Sequence, residues 1–213
     1  MDLEDFKTEQ TTQTTRMTPT VKKALFILFF LSFLMFVKYA PYGNTHLVGD
    51  SMGKQLFILY FFIVNQTLGI VHEGGHGVCY LLHCPEFLTA SNGTIFQLLF
   101  PFLIGYYYKR RGLLFGYLIG LFFLGISLHY SAWYMSTADQ GLFLPASKSF
   151  LGVDGKHDFY FILTQLHLLQ YNSVLAGLVR FAAFCIMLYS LVYMFVLAFF
   201  ASEKNIGRRK FGS

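Results

Sequence analysis

The sequence predicts an all-α, polytopic integral membrane protein with about five transmembrane helices and one extra short interfacial or re-entrant helix. Hydrophobic residues make up 55% of the 213 residues and charged residues only 13%, whereas a soluble domain carries roughly a quarter charged residues. Several apolar runs reach the ~20 residues that span a bilayer as a helix. This composition excludes an ordinary soluble globular protein.

The charge pattern indicates a lipid bilayer as the partner and no nucleic acid. The net charge is +5, but the Lys and Arg residues stand in short clusters between the apolar runs, which is typical of topology signals. We therefore expect a multi-pass protein, located in the cytoplasmic membrane if the source is bacterial.

The chain divides into three parts. Residues 1–20 are rich in Thr and Gln and predict a disordered polar tail, residues 21–202 a single helical membrane domain, and residues 203–213 a basic tail. The first span, residues 24–40, follows two lysines and has no small-residue cleavage site behind it, which predicts an uncleaved helix.

The second span covers residues 56–82 and carries a polar motif in its far half. An Asn92-Gly93 turn is expected next, followed by residues 95–108, a segment that is short for a span and contains Pro101. Residues 113–135 form a full-length fourth span.

The remaining chain predicts a structured loop, a short helix and a last span. Residues 136–157 are the longest non-apolar stretch of the core, residues 158–170 form the interfacial or re-entrant helix, and residues 174–201 form the fifth span.

Two topologies fit this order. Residues 95–108 either cross the membrane, which gives five spans, or form a re-entrant hairpin that leaves both termini inside. The hairpin improves the inside count of Lys and Arg, but only five spans bring the end of the second span and the 136–157 loop to one side. The metal site described next requires that proximity, which favours five spans.

The strongest functional signal is the motif His72-Glu73-Gly74-Gly75-His76. On a helix, residues i and i+4 share a face about 6 Å apart, so both imidazoles can bind one cation while Glu73 reaches its open side. A zinc ion with three protein ligands activates water, and Glu73 is the expected general base.

Further residues could complete or support this site. Topology places a third ligand at the entry to the short helix, where His157 and Asp158 are favoured, followed by Asp139. The alternatives are an N-cap role for Asp158, a solvated loop position for His157 and an interfacial turn for Asp139. Four more residues could line a substrate groove, pair with an acid of the site or support the ligands: Asn65, His129, Asp154 and Arg180. The alternatives are an interhelical hydrogen bond for Asn65, a hydrogen-bonded core position for His129 and snorkelling to the interface for Arg180.

The His-Glu-x-Gly-His form within a hydrophobic helix resembles the site-2-type intramembrane metalloproteases. That resemblance implies a zinc site within the bilayer and a membrane protein or peptide as substrate. The nearest counterpart of the family's Leu-Asp-Gly motif, which supplies an aspartate ligand, is Val153-Asp154-Gly155. The segments Ala138-Asp139 and 155–158 also resemble uncharacterised bacterial membrane proteins, which implies no function.

Two other interpretations remain open beside a zinc metallopeptidase. A metal transporter or sensor could use a stripe of ligands along one helix face. The spacing i, i+4, i+7 and i+11 predicts such a stripe from His72, His76, Cys79 and His83. A scaffold without catalytic activity is the third interpretation.

Overall fold

The structure is a computed structural model that describes residues 17–39, 51–141 and 156–200, without the side chains of Phe61 and Asn65. The basic tail and residues 1–16 of the polar tail lie outside the described ranges. No β-strand occurs within those ranges. The α-helices are α1 (Pro19–Tyr39), α2 (Met52–Leu81), α3 (Glu86–Arg110), α4 (Leu114–Ser136), α5 (Asp158–Gln165) and α6 (Asn172–Phe199).

Five of these helices, all except α5, are long and apolar enough to cross a membrane. The predicted fold class, an all-α polytopic membrane protein, is therefore confirmed. The short extra helix is also present, although it ends at Gln165 and not at residue 170. After it, His167 takes a left-handed conformation (φ 56°) and a 3₁₀ turn, Leu169–Tyr171, leads into α6.

The expected Asn92-Gly93 turn is wrong, because both residues lie inside the continuous helix α3. The Asn92 side chain donates a hydrogen bond from Nδ2 to the Gly75 carbonyl of α2, at 2.6 Å. A Cβ at Gly75 would clash with the Asn92 carbonyl. The two residues therefore serve close helix packing, as small and amide residues do between membrane helices.

Pro101 does not break α3, which also makes the re-entrant hairpin wrong. A proline removes the hydrogen bond to the carbonyl four residues earlier, which here belongs to Gln97. The Ser127 hydroxyl of α4 donates to that carbonyl at 3.4 Å. A neighbouring helix thus satisfies the freed backbone group, as happens in membrane proteins.

Helix α4 is the centre of the bundle. It packs most extensively on α6 and α3, and also contacts α5, whereas α1 lies mainly against α6. Gly105 and Gly120 let the backbones of α3 and α4 approach, since a Cβ at Gly105 would lie 3.2 Å from the Gly120 Cα. Aromatic and aliphatic side chains that are fully buried fill the core around α4: Phe36, Phe115, Phe122, Ile126, Met187 and Met194.

One end of the bundle gathers five chain segments. The end of α2 meets the start of α3 and the start of α5, and the Asn172 side chain at the start of α6 donates to the Ser136 carbonyl at the end of α4, at 3.3 Å. This is the arrangement that the five-span topology predicts. Of the expected 136–157 loop, the structure describes a 3₁₀ turn, Ala138–Gln140, while residues 142–155 lie outside the described ranges.

Candidate metal centre

The motif at the end of α2 is helical, and it places its two histidines side by side. The His72 and His76 ring centroids are 4.8 Å apart. One ligand atom from each of His72, Glu73 and His76 lies within 4.8 Å of the others, so these residues could hold a metal ion. The two histidines are 6% and 9% exposed, whereas Glu73 is exposed.

Asp158, the first residue of α5, brings a carboxylate to the two imidazoles. Its Oδ2 atom lies 2.9 Å from His72 Nε2 and 3.3 Å from His76 Nε2. The carboxylate side chain is 12% exposed. Burial by itself would raise the pKa of Asp158, but hydrogen bonds donated by His72 and His76 when their rings are protonated outweigh it and lower the pKa to about 2. Asp158 is therefore an anion at neutral pH.

Gln97 of α3 fixes which nitrogen of His72 carries the proton. Its Nε2 donates to the Ser127 carbonyl at 3.2 Å, and a carbonyl can only accept. The amide oxygen of Gln97 must then face His72 Nδ1, at 3.2 Å. Since that oxygen also only accepts, Nδ1 is the donor, and Nε2 presents its lone pair on the side of Asp158 whenever the ring is neutral.

The same reasoning applies to His76 through a backbone group. Its Nδ1 lies 2.8 Å from the Thr89 carbonyl in the first turn of α3. Because the carbonyl accepts, Nδ1 again donates and Nε2 presents a lone pair. Histidines that bind metals typically donate their other ring N–H to a carbonyl or an amide in this way.

Three electron-pair donors thus converge on one point: two imidazole nitrogens and a carboxylate oxygen. They repel one another unless a cation, either a proton or a metal ion, neutralises them. Zinc–nitrogen bonds of 2.0–2.1 Å place neighbouring tetrahedral ligands about 3.3 Å apart. The observed separations of 2.9 and 3.3 Å agree with that spacing, so the residues present fit a metal ion.

Gly93 of α3 keeps space free at this point. A Cβ there would lie 2.6 Å from His76 Nε2 and 2.7 Å from His72 Nε2. Any side chain at residue 93 would therefore occupy the space between the two Nε2 atoms, which a bound ion would need. On the outer face of α2 the situation is the opposite, because a Cβ added at Gly74 or Gly77 would meet no atom within 4 Å.

Tyr134 and His157 hold α5 in place beside the histidines. The Tyr134 hydroxyl accepts from the Asp158 amide at 3.0 Å and donates to its Oδ2 at 3.4 Å. The His157 ring stacks on Tyr134, with centroids 4.3 Å apart. Its Nδ1 accepts from the Tyr160 amide, and its Nε2 bonds the Thr137 hydroxyl at 3.0 Å.

The structure places His157 at the N-cap of α5 and brings Asp158 to the two histidines. His157, expected as a ligand or a solvated loop residue, is fully buried and caps α5 with its side chain. Both of its ring nitrogens are engaged away from His72 and His76. Asp158, whose alternative role was the N-cap, supplies the carboxylate that meets the histidines.

Three other predicted residues, Asp139, His129 and Arg180, are not brought to the histidines. Asp139 is exposed in the 3₁₀ turn after α4, and His129 is buried between the rings of Phe36 and Phe184. Arg180 is half-buried on α6, within electrostatic range of His129. Asp154 and the side chain of Asn65 lie outside the part of the chain that the structure describes.

The proposed stripe of ligands along α2 is interrupted. His83 follows the end of the helix and takes a left-handed conformation, with φ of 53°. It is therefore not on the helix that carries His72, His76 and Cys79.

Sequence reasoning missed four residues that shape this centre: Gln97, Thr89, Gly93 and Tyr134. One signal was available, since Gln97 is a polar residue in an apolar segment and such a residue requires hydrogen-bond partners in a membrane. Thr89 acts through its backbone, which no side-chain pattern reveals.

Comparison of the chain with protein-family models, with curated proteins and with solved structures finds no match. The resemblance to site-2-type proteases therefore stays a prediction that rests on the motif.

Proposed function

We propose that this protein is a membrane-embedded zinc metallopeptidase that hydrolyses a peptide bond in or near the membrane. The observation that carries the proposal is the convergence of His72 Nε2, His76 Nε2 and Asp158 Oδ2 beside Glu73. Two neutral nitrogens and one carboxylate are a ligand set that catalytic zinc sites use, with a fourth position left open.

The residues of the site would have three roles: binding the ion, orienting the histidine rings and transferring a proton. His72, His76 and Asp158 would hold the ion, with Gln97 and the Thr89 carbonyl fixing the orientation of the two rings. Zinc with an open position would lower the pKa of a water molecule to about 7. Glu73 would accept the proton of that water on its carboxylate and pass it to the leaving amine.

The position of the motif along α2 supports a substrate at the membrane or close to its surface. Helix α2 has 30 residues, which makes it about 45 Å long, whereas the hydrocarbon core of a bilayer is about 30 Å thick. His76 lies five residues before the end of α2, hence about 8 Å from it. The motif is therefore near the end of the helix, where water and a polypeptide can both approach.

The test is a comparison of Glu73→Gln with the unaltered chain in phosphatidylcholine vesicles loaded with zinc. A set of single-span reporter proteins serves as substrate, and bound zinc is measured by elemental analysis. We expect Glu73→Gln to retain zinc and to lose cleavage by about 10²- to 10⁴-fold, as the loss of a general base does.

Glu86→Gln is the matched control, because Glu86 is exposed at the start of α3, where it pairs with the exposed Lys156 at 3.8 Å. It should cleave like the unaltered chain. Equal cleavage by Glu73→Gln would contradict the peptidase. Release of zinc from the loaded vesicles without any cleavage would instead support the transporter.

A further inference from the structure

Helix α2 ends in a Schellman motif that contains two cysteines. The His83 amide donates to the Tyr80 carbonyl at 3.3 Å, and the Cys84 amide donates to the Cys79 carbonyl at 3.0 Å. His83 occupies the left-handed position with φ of 53°, where glycine is usual. In this motif the residue after the left-handed one contacts the residue three positions before the helix cap. Here those two residues are Cys84 and Cys79.

The two thiols are close enough to interact, and this interaction with Cys79 raises the pKa of Cys84. Cys79 is buried, with 3% of its surface exposed, whereas Cys84 is half-buried. A reagent in the solvent therefore reaches the Cys84 thiol first, whereas the Cys79 thiol is shielded from it. Such a pair of one accessible and one sheltered thiol is typical of thiol–disulfide exchange.

We propose that Cys79 and Cys84 form a reversible disulfide at the end of α2, by exchange with a low-molecular-weight disulfide such as oxidised glutathione. Cys84, after releasing its proton, attacks one sulfur of the reagent, forms a mixed disulfide and expels one thiolate. Cys79, also deprotonated, attacks the Cys84 sulfur and expels the second thiolate. The two cysteines lose two electrons, and the reagent gains them and takes up the two protons as two thiols.

The disulfide would fix a turn that contacts a partner of the metal centre. The Thr89 hydroxyl lies 3.4 Å from the Cys84 carbonyl and 3.2 Å from the Pro85 carbonyl, and it donates to both. The backbone carbonyl of the same threonine accepts from His76. The proposal itself does not depend on zinc or on peptidase activity, because only the two sulfur atoms react.

The experiment uses the full chain in detergent micelles with Cys185→Ser, which removes the third, exposed cysteine. The protein is incubated with oxidised glutathione and then denatured for thiol counting and intact-mass measurement. We expect both remaining thiols to disappear, the mass to fall by two hydrogen atoms, and dithiothreitol to restore both thiols.

Cys84→Ser in the same background is the matched variant, and its Cys79 should keep a free thiol. A stable glutathione adduct on Cys84 with Cys79 still free would overturn the proposal, and so would two unreacted thiols after incubation. A loss of the Cys79 thiol in the Cys84→Ser variant would also overturn it, since Cys79 would then react without its partner.

Discussion

Two buried histidine environments in this chain are built in opposite ways. At the end of α2, polar groups on α3 direct the Nδ1 atoms of His72 and His76, and their Nε2 atoms meet a carboxylate. In the middle of the bundle, the fully buried His129 packs against Phe36 and Phe184, with ring centroids 5.1 and 4.3 Å away. Burial alone therefore does not make a histidine a candidate metal ligand; the directed Nε2 lone pairs distinguish His72 and His76 from His129.

The largest difference between the two environments should appear when a ligand is removed. We expect His76→Ala to weaken zinc binding more than the 10- to 100-fold loss typical of residues that only orient a ligand. Equilibrium dialysis against a zinc buffer measures the affinity. Undiminished zinc binding by His76→Ala would remove the basis for the proposed centre.

A methyl group at Gly93 tests whether the space between the imidazoles is needed. Gly93→Ala should weaken zinc binding by at least about 100-fold. Its Cβ would lie 2.6 Å from His76 Nε2 and would occupy the space that the ion needs. Gly74→Ala is the matched control, since it places the same methyl group where no atom lies within 4 Å. Both variants are measured by the same dialysis, and equal affinities would show that Gly93 has no such role.

Gln97 tests how far the orientation of one ring matters. Gln97→Leu should weaken zinc binding by about 10- to 100-fold, because His72 loses the acceptor that holds its Nδ1 proton. Gln97→Glu should restore the affinity, since its carboxylate also accepts from Nδ1. Gln55→Leu, at the exposed far end of α2, is the control. Failure of the glutamate to restore binding would indicate that Gln97 acts through packing and not through the proton of His72.

The smallest effect on zinc is expected at His129. His129→Ala should change the affinity by no more than about twofold, as independent sites behave, while it leaves a cavity between two phenylalanine rings. That cavity should lower the thermal unfolding midpoint, whereas His129→Phe should lower it less. A large loss of zinc binding in His129→Phe would show that the two environments are coupled.

The fold class and the pairing of His72 with His76 could be predicted from the sequence, for physical reasons. Apolar length predicts spans directly, and the i, i+4 spacing of His72 and His76 is local to one helix. Asp158 was among the expected ligands, because only a topology of five spans brings it near α2. The choice between Asp158 and its neighbour His157 depended on the Tyr134 and Thr137 contacts, which join segments distant in sequence.

Helix α3 shows why the remaining features were not predictable. When a segment is considered by itself, an Asn-Gly pair is a strong signal for a turn, and a proline is a signal for the end of a helix. Here the Gly75 carbonyl receives the Asn92 side chain, and the Ser127 hydroxyl satisfies the carbonyl that Pro101 leaves free. Packing partners from other helices thus override both local signals.

The 86 positions that separate His72 from Asp158 have a consequence for how the protein is made. The two histidines are synthesised with the second of the five long helices, whereas the carboxylate follows only after the fourth. A nascent chain therefore carries an incomplete set of ligands until most of it has been inserted. A metal that binds only the completed set would favour the assembled state, by about 2.7 kcal/mol when its free concentration is 100 times the Kd. Zinc supply during biogenesis should then govern how much of the assembled protein accumulates.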